Sequence, residues 1–233
     1  MQRNNGSNGL PPPLVGSATE LTSYKLVEWW LRSIWLRHSG RINGSPPDKP
    51  FILVANHGSY LDWMLLHVLI RNRFRRNIRF FAKRKVVENR WLKLAIKAAS
   101  PIVVEARYAD RCLAVAAREL EANKDITRIA MCVFPERGRS RMGEQLKNAP
   151  GAAWLARQCQ VPIVPVALCG FWEVWPPQKR LPAFKHHGLS VNFLPPVNPS
   201  DFGDDQETVD CAMNHVYEIV RRDRAERLQP NGK

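Results

Sequence analysis

Residues 56 to 62 read Asn-His-Gly-Ser-Tyr-Leu-Asp and follow the apolar run Phe51-Ile52-Leu53-Val54-Ala55. A strand ending there delivers an imidazole and then a carboxylate to one end of a sheet. On a regular helix, positions five apart lie about 140° apart around the axis, so His57 and Asp62 meet only if a turn intervenes. Gly58 can supply that turn, with helix starting near Ser59 and Asp62 in its first turn. Such geometry makes a histidine base oriented by an aspartate, the pairing that activates a hydroxyl nucleophile. Ser59-x-x-Asp62 is equally a capping-box pattern, in which Asp62 need bond only backbone N–H groups. The seven residues leave both readings open.

The surrounding chain alternates. Strands are predicted at 51–55, 78–82, 101–105, 129–134, 163–168 and 189–193. Helices are predicted near 60–71, 87–98, 110–123, 149–159 and 206–228. The alternation implies an α/β fold: a mixed, largely parallel central sheet flanked by helices. Active groups in such sheets gather where strands end and loops begin. His57 stands at one such end and Glu136, after Ile129 to Phe134, at another. Residues 171–188 carry three prolines and are expected to form a long surface excursion.

Ahead of this domain, residues 1–17 are rich in Asn, Gly, Ser and Pro and are expected to be disordered. Residues 18–45 form the next unit, an amphipathic helical segment. Leu21, Tyr24, Val27, Leu31, Ile34 and Trp35 recur there at helical spacing, and Leu26, Trp29 and Trp30 broaden the apolar face. Tryptophan at that density suits the headgroup boundary of a membrane, although packing onto the domain explains part of the stripe.

Length and charge narrow the classes. The chain has 233 residues, 45% of them hydrophobic, which suits one core-bearing domain and excludes wholesale disorder. No apolar run is long enough to span a bilayer, and no secretory leader is visible. Five scattered cysteines without a C-x-x-C point to reduced thiols, not to a disulfide frame or zinc. The net charge is +14, with eleven Lys/Arg between Arg71 and Lys97 against Glu88 alone. Such a patch attracts nucleic acid, anionic lipid or an acidic protein. No zinc finger, RNA-stacking motif or basic zipper accompanies it, so nucleic acid is not an expected partner.

Four segments in order carry a resemblance. They are Asn56 to Asp62; Pro101-Ile102-Val103-Val104-Glu105-Ala106-Arg107; Phe134-Pro135-Glu136-Arg137-Gly138-Arg139-Ser140; and Val161 to Leu168. Together they resemble the four blocks of the glycerolipid acyltransferase family, which includes the 1-acylglycerol-3-phosphate acyltransferases. Phe80-Phe81-Ala82-Lys83 resembles the family's segment between the first two blocks. The resemblance covers roughly residues 50 to 200 and makes 46–233 an acyltransferase domain.

It implies transfer of an acyl group from acyl-CoA or acyl-carrier protein to a lysophospholipid hydroxyl, 1-acylglycerol 3-phosphate above all. His57 is then the catalytic base, Asp62 its orienter, and no cofactor is needed. The resemblance places Arg107, Glu136, Arg139, Ser140 and Lys83 in substrate binding, with Glu136 either bonding an acceptor hydroxyl or bracing Arg139. It implies work at the cytoplasmic face of a membrane, with the lipid surface and the acyl donor as partners. An amine or another lyso-lipid as acceptor is the nearest alternative. A basic lipid- or nucleic-acid-binding module without activity is the more distant one.

The third block departs from the family's Phe-Pro-Glu-Gly-Thr-Arg-Ser. Arg137 takes the glycine place and Gly138 follows. If a positive φ is needed there, the turn is expected one residue later, at Gly138.

Overall fold

Five consecutive residues, Phe51–Ala55, are wholly buried, because strand β2 lies inside a sheet covered on both faces. Phe51, Leu53 and Ala55 face one core, and Ile52 and Val54 face the other. Each fully buried Phe, Ile, Leu or Val contributes roughly 1.5–3 kcal/mol, so this strand anchors the domain.

The computed structural model describes residues 18–84, 88, 101–104, 109–122, 129–183, 185 and 188–228. Segment 1–17, nearly all of the expected helix 87–98, four of the eleven basic residues of the patch (Lys85, Arg90, Lys93 and Lys97) and Arg107 lie outside the described residues.

In chain order the strands are β1 (Arg41–Asn43), β2 (Phe51–Ala55), β3 (Asn77–Lys83), β4 (Ile102–Val104), β5 (Ile129–Val133), β6 (Ile163–Cys169) and β7 (Ser190–Phe193). The helices are α1 (Ala18–Arg37), α2 (Leu61–Phe74), α3 (Ala109–Ala122), α4 (Gly151–Gln158), the single turn α5 (Phe171–Val174) and α6 (Asp205–Leu228). The sheet runs β1-β7-β6-β2-β5-β3-β4. Strands β6, β2, β5, β3 and β4 are mutually parallel. β7 is antiparallel to β6, and β1 is parallel to β7. The predicted mixed, largely parallel sheet is therefore present. α1 and α2 cover one face; α3, α4 and α6 cover the other.

The segment 18–45 is not one helix. α1 ends at Arg37, and Arg41–Asn43 pairs with Ser190–Asn192 as an edge strand of the domain. Gly40 makes the exit possible: a Cβ there would overlap the Trp35 indole. Both readings of the apolar stripe find residues. Leu31 and Ile34 are buried in the core, whereas Leu26, Trp29 and Leu36, spaced along another side of the helix, are 63%, 68% and 74% exposed. No described helix is long and apolar enough to cross a membrane.

Candidate active site

The end of β2 opens directly into the site. Before leaving the sheet the chain is locked by Asn56, whose side chain donates to the Leu168 carbonyl (3.0 Å) and accepts from the Leu168 N–H (2.8 Å). Ser59 and Tyr60 are then held from across the fold. The Trp175 carbonyl accepts from the Tyr60 N–H (3.2 Å) and from the Ser59 hydroxyl (2.8 Å). Ser59 Oγ in turn accepts the Leu61 N–H, which starts α2.

Asp62 lies in the first turn of α2 and is 1% exposed. Its Oδ2 lies 2.8 Å from His57 Nδ1 and accepts the Gly58 and Ser59 N–H groups at 2.9 and 2.8 Å. The two alternatives left by the sequence are thus one structure: the carboxylate that caps the turn also meets the imidazole. An ionised carboxylate oxygen only accepts hydrogen bonds, so the proton of the His57–Asp62 contact sits on Nδ1. Nε2 is then the nitrogen with a lone pair to offer. The imidazole stacks on Phe134, with ring centroids 4.2 Å apart and planes at 21°, and is itself partly exposed.

The loop after β5 holds the His57 backbone. The His57 carbonyl accepts the Ser140 N–H (2.8 Å), and its N–H donates to Glu136 Oε1 (3.3 Å). Glu136 is 5% exposed, and the same Oε1 accepts the Tyr217 hydroxyl (2.7 Å). Burial pushes the Glu136 carboxyl up from 4.5 to about 7, against the downward pull of the Tyr217 hydrogen bond. Folding therefore favours the protonated acid. This contribution is full below the ordinary carboxyl pKa and is lost as pH rises through about 7.

The residues expected to bind substrate do not all share one setting. Glu136 and Ser140 are buried, with their side chains bonded internally, Ser140 Oγ to Glu144 Oε2 at 2.8 Å. Arg139 is half-buried, its guanidinium 4.0 Å above the Tyr60 ring. Tyr60 packs on Trp175, and Trp175 on Trp30 of α1. Lys83 ends β3 and is exposed. It stands at the same end of the sheet as His57, two strands away and hence about 10 Å across. Tyr217 and Asn56 had no role assigned from sequence. A single tyrosine among the apolar positions of α6 reads there as core.

The third block turns at Arg137, not at Gly138. Arg137 has φ +57°, Gly138 is not left-handed, and a Cβ at 138 would meet nothing within 4 Å. The positive φ falls at the place where the family's sequence has glycine, and an exposed arginine adopts it. That conformation costs about 1–2 kcal/mol, and the greater freedom of glycine in the unfolded chain offsets about 0.4–1 kcal/mol of any relief. Arg137→Gly is therefore expected to stabilise the fold by about 0.5–1 kcal/mol. A thermal melt checks this, with a rise of roughly 1–4 °C expected; a fall would mean that the Arg137 side chain is held by contacts stronger than the strain.

The sequence model of the family described as Acyltransferase matches residues 38–169. The human 1-acyl-sn-glycerol-3-phosphate acyltransferase alpha is 29% identical over 152 residues, 65% of this chain and 51% of that protein. A probable 1-acyl-sn-glycerol-3-phosphate acyltransferase of Mycoplasma pneumoniae is 29% identical over 194 residues, 78% of this chain and 69% of its own length. The chain spans about half the length of the human and bovine relatives it matches. The crystal structure of the 1-acyl-sn-glycerophosphate (LPA) acyltransferase PlsC from Thermotoga maritima shares the fold. Its TM-score is 0.64 at 23% identity, over 87% of this chain and 81% of that one. With its family match reaching from just after α1 to the end of β6, and with His57 and Asp62 inside it, the chain belongs to the acyltransferase family.

Proposed function

We propose that the protein is an O-acyltransferase that moves a fatty acyl group from acyl-CoA or acyl-carrier protein to the free hydroxyl of a lysophospholipid. 1-Acylglycerol 3-phosphate is the acceptor and phosphatidic acid the product. The observation that carries the reading is the 2.8 Å contact between His57 Nδ1 and Asp62 Oδ2, which fixes the tautomer and presents Nε2 as a base. Nε2 takes the proton of the acceptor hydroxyl as its oxygen attacks the thioester carbonyl carbon. A tetrahedral oxyanion forms, the C–S bond breaks, and the departing thiolate recovers the proton from the imidazolium. Asp62 stabilises the imidazolium while it lasts. No acyl-enzyme is required, because the acceptor is itself the nucleophile.

Arg139, with Arg107, holds the acceptor phosphate, and Lys83 adds positive charge at the same end of the sheet. A guanidinium stacked on Tyr60 keeps its N–H edges available for phosphate oxygens. The exposed Leu26, Trp29 and Leu36 of α1 rest the domain on the cytoplasmic face of a membrane, where the acceptor resides.

Thiol release from acyl thioesters, measured with acceptors presented in anionic vesicles and products identified by mass spectrometry, tests the reading. A charge-assisted contact is worth about 1.5–3 kcal/mol. Arg139→Ala is therefore expected to raise KM for 1-acylglycerol 3-phosphate by about 10- to 100-fold, with little change for an acceptor lacking phosphate. Equal effects on both acceptors would remove the phosphate assignment, and turnover of an amine in preference to the lysolipid would replace the acceptor.

A further inference from the structure

A carboxyl at position 136 is costly. It is 5% exposed, Oε2 has no hydrogen-bond partner, and the nearby Asp62 carboxylate opposes its ionisation. Its working atom is Oε1, which receives two donors: the His57 amide from the end of β2 and the Tyr217 hydroxyl from α6. Tyr217 is 3% exposed and its hydroxyl reaches Glu136 Oε1 and the Glu144 carbonyl. The shorter distance, 2.7 against 3.2 Å, directs the hydroxyl proton to Glu136. The His57 main chain is thereby clamped on both sides, its N–H through Glu136 and its carbonyl through Ser140. An acceptor hydroxyl could reach Oε1 only by displacing these partners, and Oε2 is itself shut off from the surface.

We propose that Glu136 and Tyr217 are positioning residues: a two-member strut from α6 that fixes the His57 backbone and so aims Nε2 at the acceptor hydroxyl. This rests on His57 being the base. Its two donors are an amide and a phenol, so the strut asks only for an acceptor oxygen at Oε1. Hydrogen-bond acceptance matters at this position and substrate contact does not. A shift of the His57 backbone by a fraction of an ångström misaligns the reacting atoms and acts on turnover, not on affinity.

Steady-state kinetics of thiol release by the full chain separates the possibilities. Tyr217→Phe keeps the ring and removes the hydroxyl. It is expected to lower kcat about 3- to 10-fold, with KM for both substrates within about two-fold. Glu136→Ala is expected to lose at least about 10-fold in kcat, and Glu136→Gln, which keeps an acceptor oxygen, to recover most of it. In a His57→Ala background, Tyr217→Phe is expected to have no further effect, since its route to the chemistry is gone. A selective rise in acceptor KM in the Glu136 variants would overturn the proposal in favour of direct contact, as would an unchanged kcat in Tyr217→Phe. If His57→Ala alone keeps wild-type turnover, the base assignment fails instead, whatever Tyr217→Phe does.

Discussion

His57→Ala is expected to abolish most thioester turnover, by at least about 10²-fold and up to about 10⁴-fold. Without a base the acceptor hydroxyl must attack while carrying its proton. A 10²-fold loss corresponds to about 2.7 kcal/mol of transition-state stabilisation. The change should act on kcat with acceptor and donor KM nearly unaffected, because nothing that grips either substrate is removed. Folding is expected to survive, since the imidazole is partly exposed and packs on one face of Phe134. A circular-dichroism melt alongside the thiol-release assay distinguishes lost chemistry from lost fold. Turnover within a few-fold of wild type would remove the mechanism at its root.

The second large effect is expected at Asp62→Asn. Asp62 Oδ2 accepts the His57, Gly58 and Ser59 N–H groups together, and Oδ1 has no partner. An asparagine oxygen in the Oδ2 place therefore keeps all three and leaves its NH₂ in the buried Oδ1 place. The tautomer is retained, but the negative charge beside the ring is lost. The imidazolium that forms in the transition state then lacks its stabilising partner. A charge-assisted hydrogen bond is worth about 1.5–3 kcal/mol, so a loss of about 10- to 100-fold in kcat follows. The accompanying stability loss is about 1–3 kcal/mol, for burying an NH₂ group without a partner. If the carboxylate served only as a cap, the melting temperature would fall while kcat per folded molecule stayed put. That pattern would return Asp62 to a structural role.

The pairing of His57 with Asp62 was legible in the sequence because the geometry is local. Asn56 to Asp62 follow one another, and a glycine marks the turn between base and carboxylate. The sheet was legible for a related reason, since strands buried on both faces write long apolar runs such as Phe51–Ala55. What escaped notice is what other parts of the fold contribute. The Trp175 carbonyl that anchors Ser59 and Tyr60 leaves no trace in side-chain identity, because any residue has a carbonyl. Tyr217 lies among Val209, Met213, Val216 and Val220, where an aromatic ring is what a core helix would carry anyway. β1 is too short for alternation to register, with only Ile42 between Arg41 and Asn43. The turn of the third block went to Gly138 by the usual preference of glycine for positive φ. The structure puts it at Arg137, with φ +57°.

β1 also has a bearing on solubility. A sheet of seven strands exposes unpaired backbone N–H and C=O groups along its first and last members, which is an invitation to edge-to-edge aggregation. Here, among the described residues, the sheet ends in three-residue strands, Arg41–Asn43 on one side and Ile102–Val104 on the other. A foreign strand would find a ladder too short to hold it, and at the first edge it would meet exposed Arg41 and Asn43. By running back to cover β7 after α1, the segment that leads into the domain also closes the sheet against self-association.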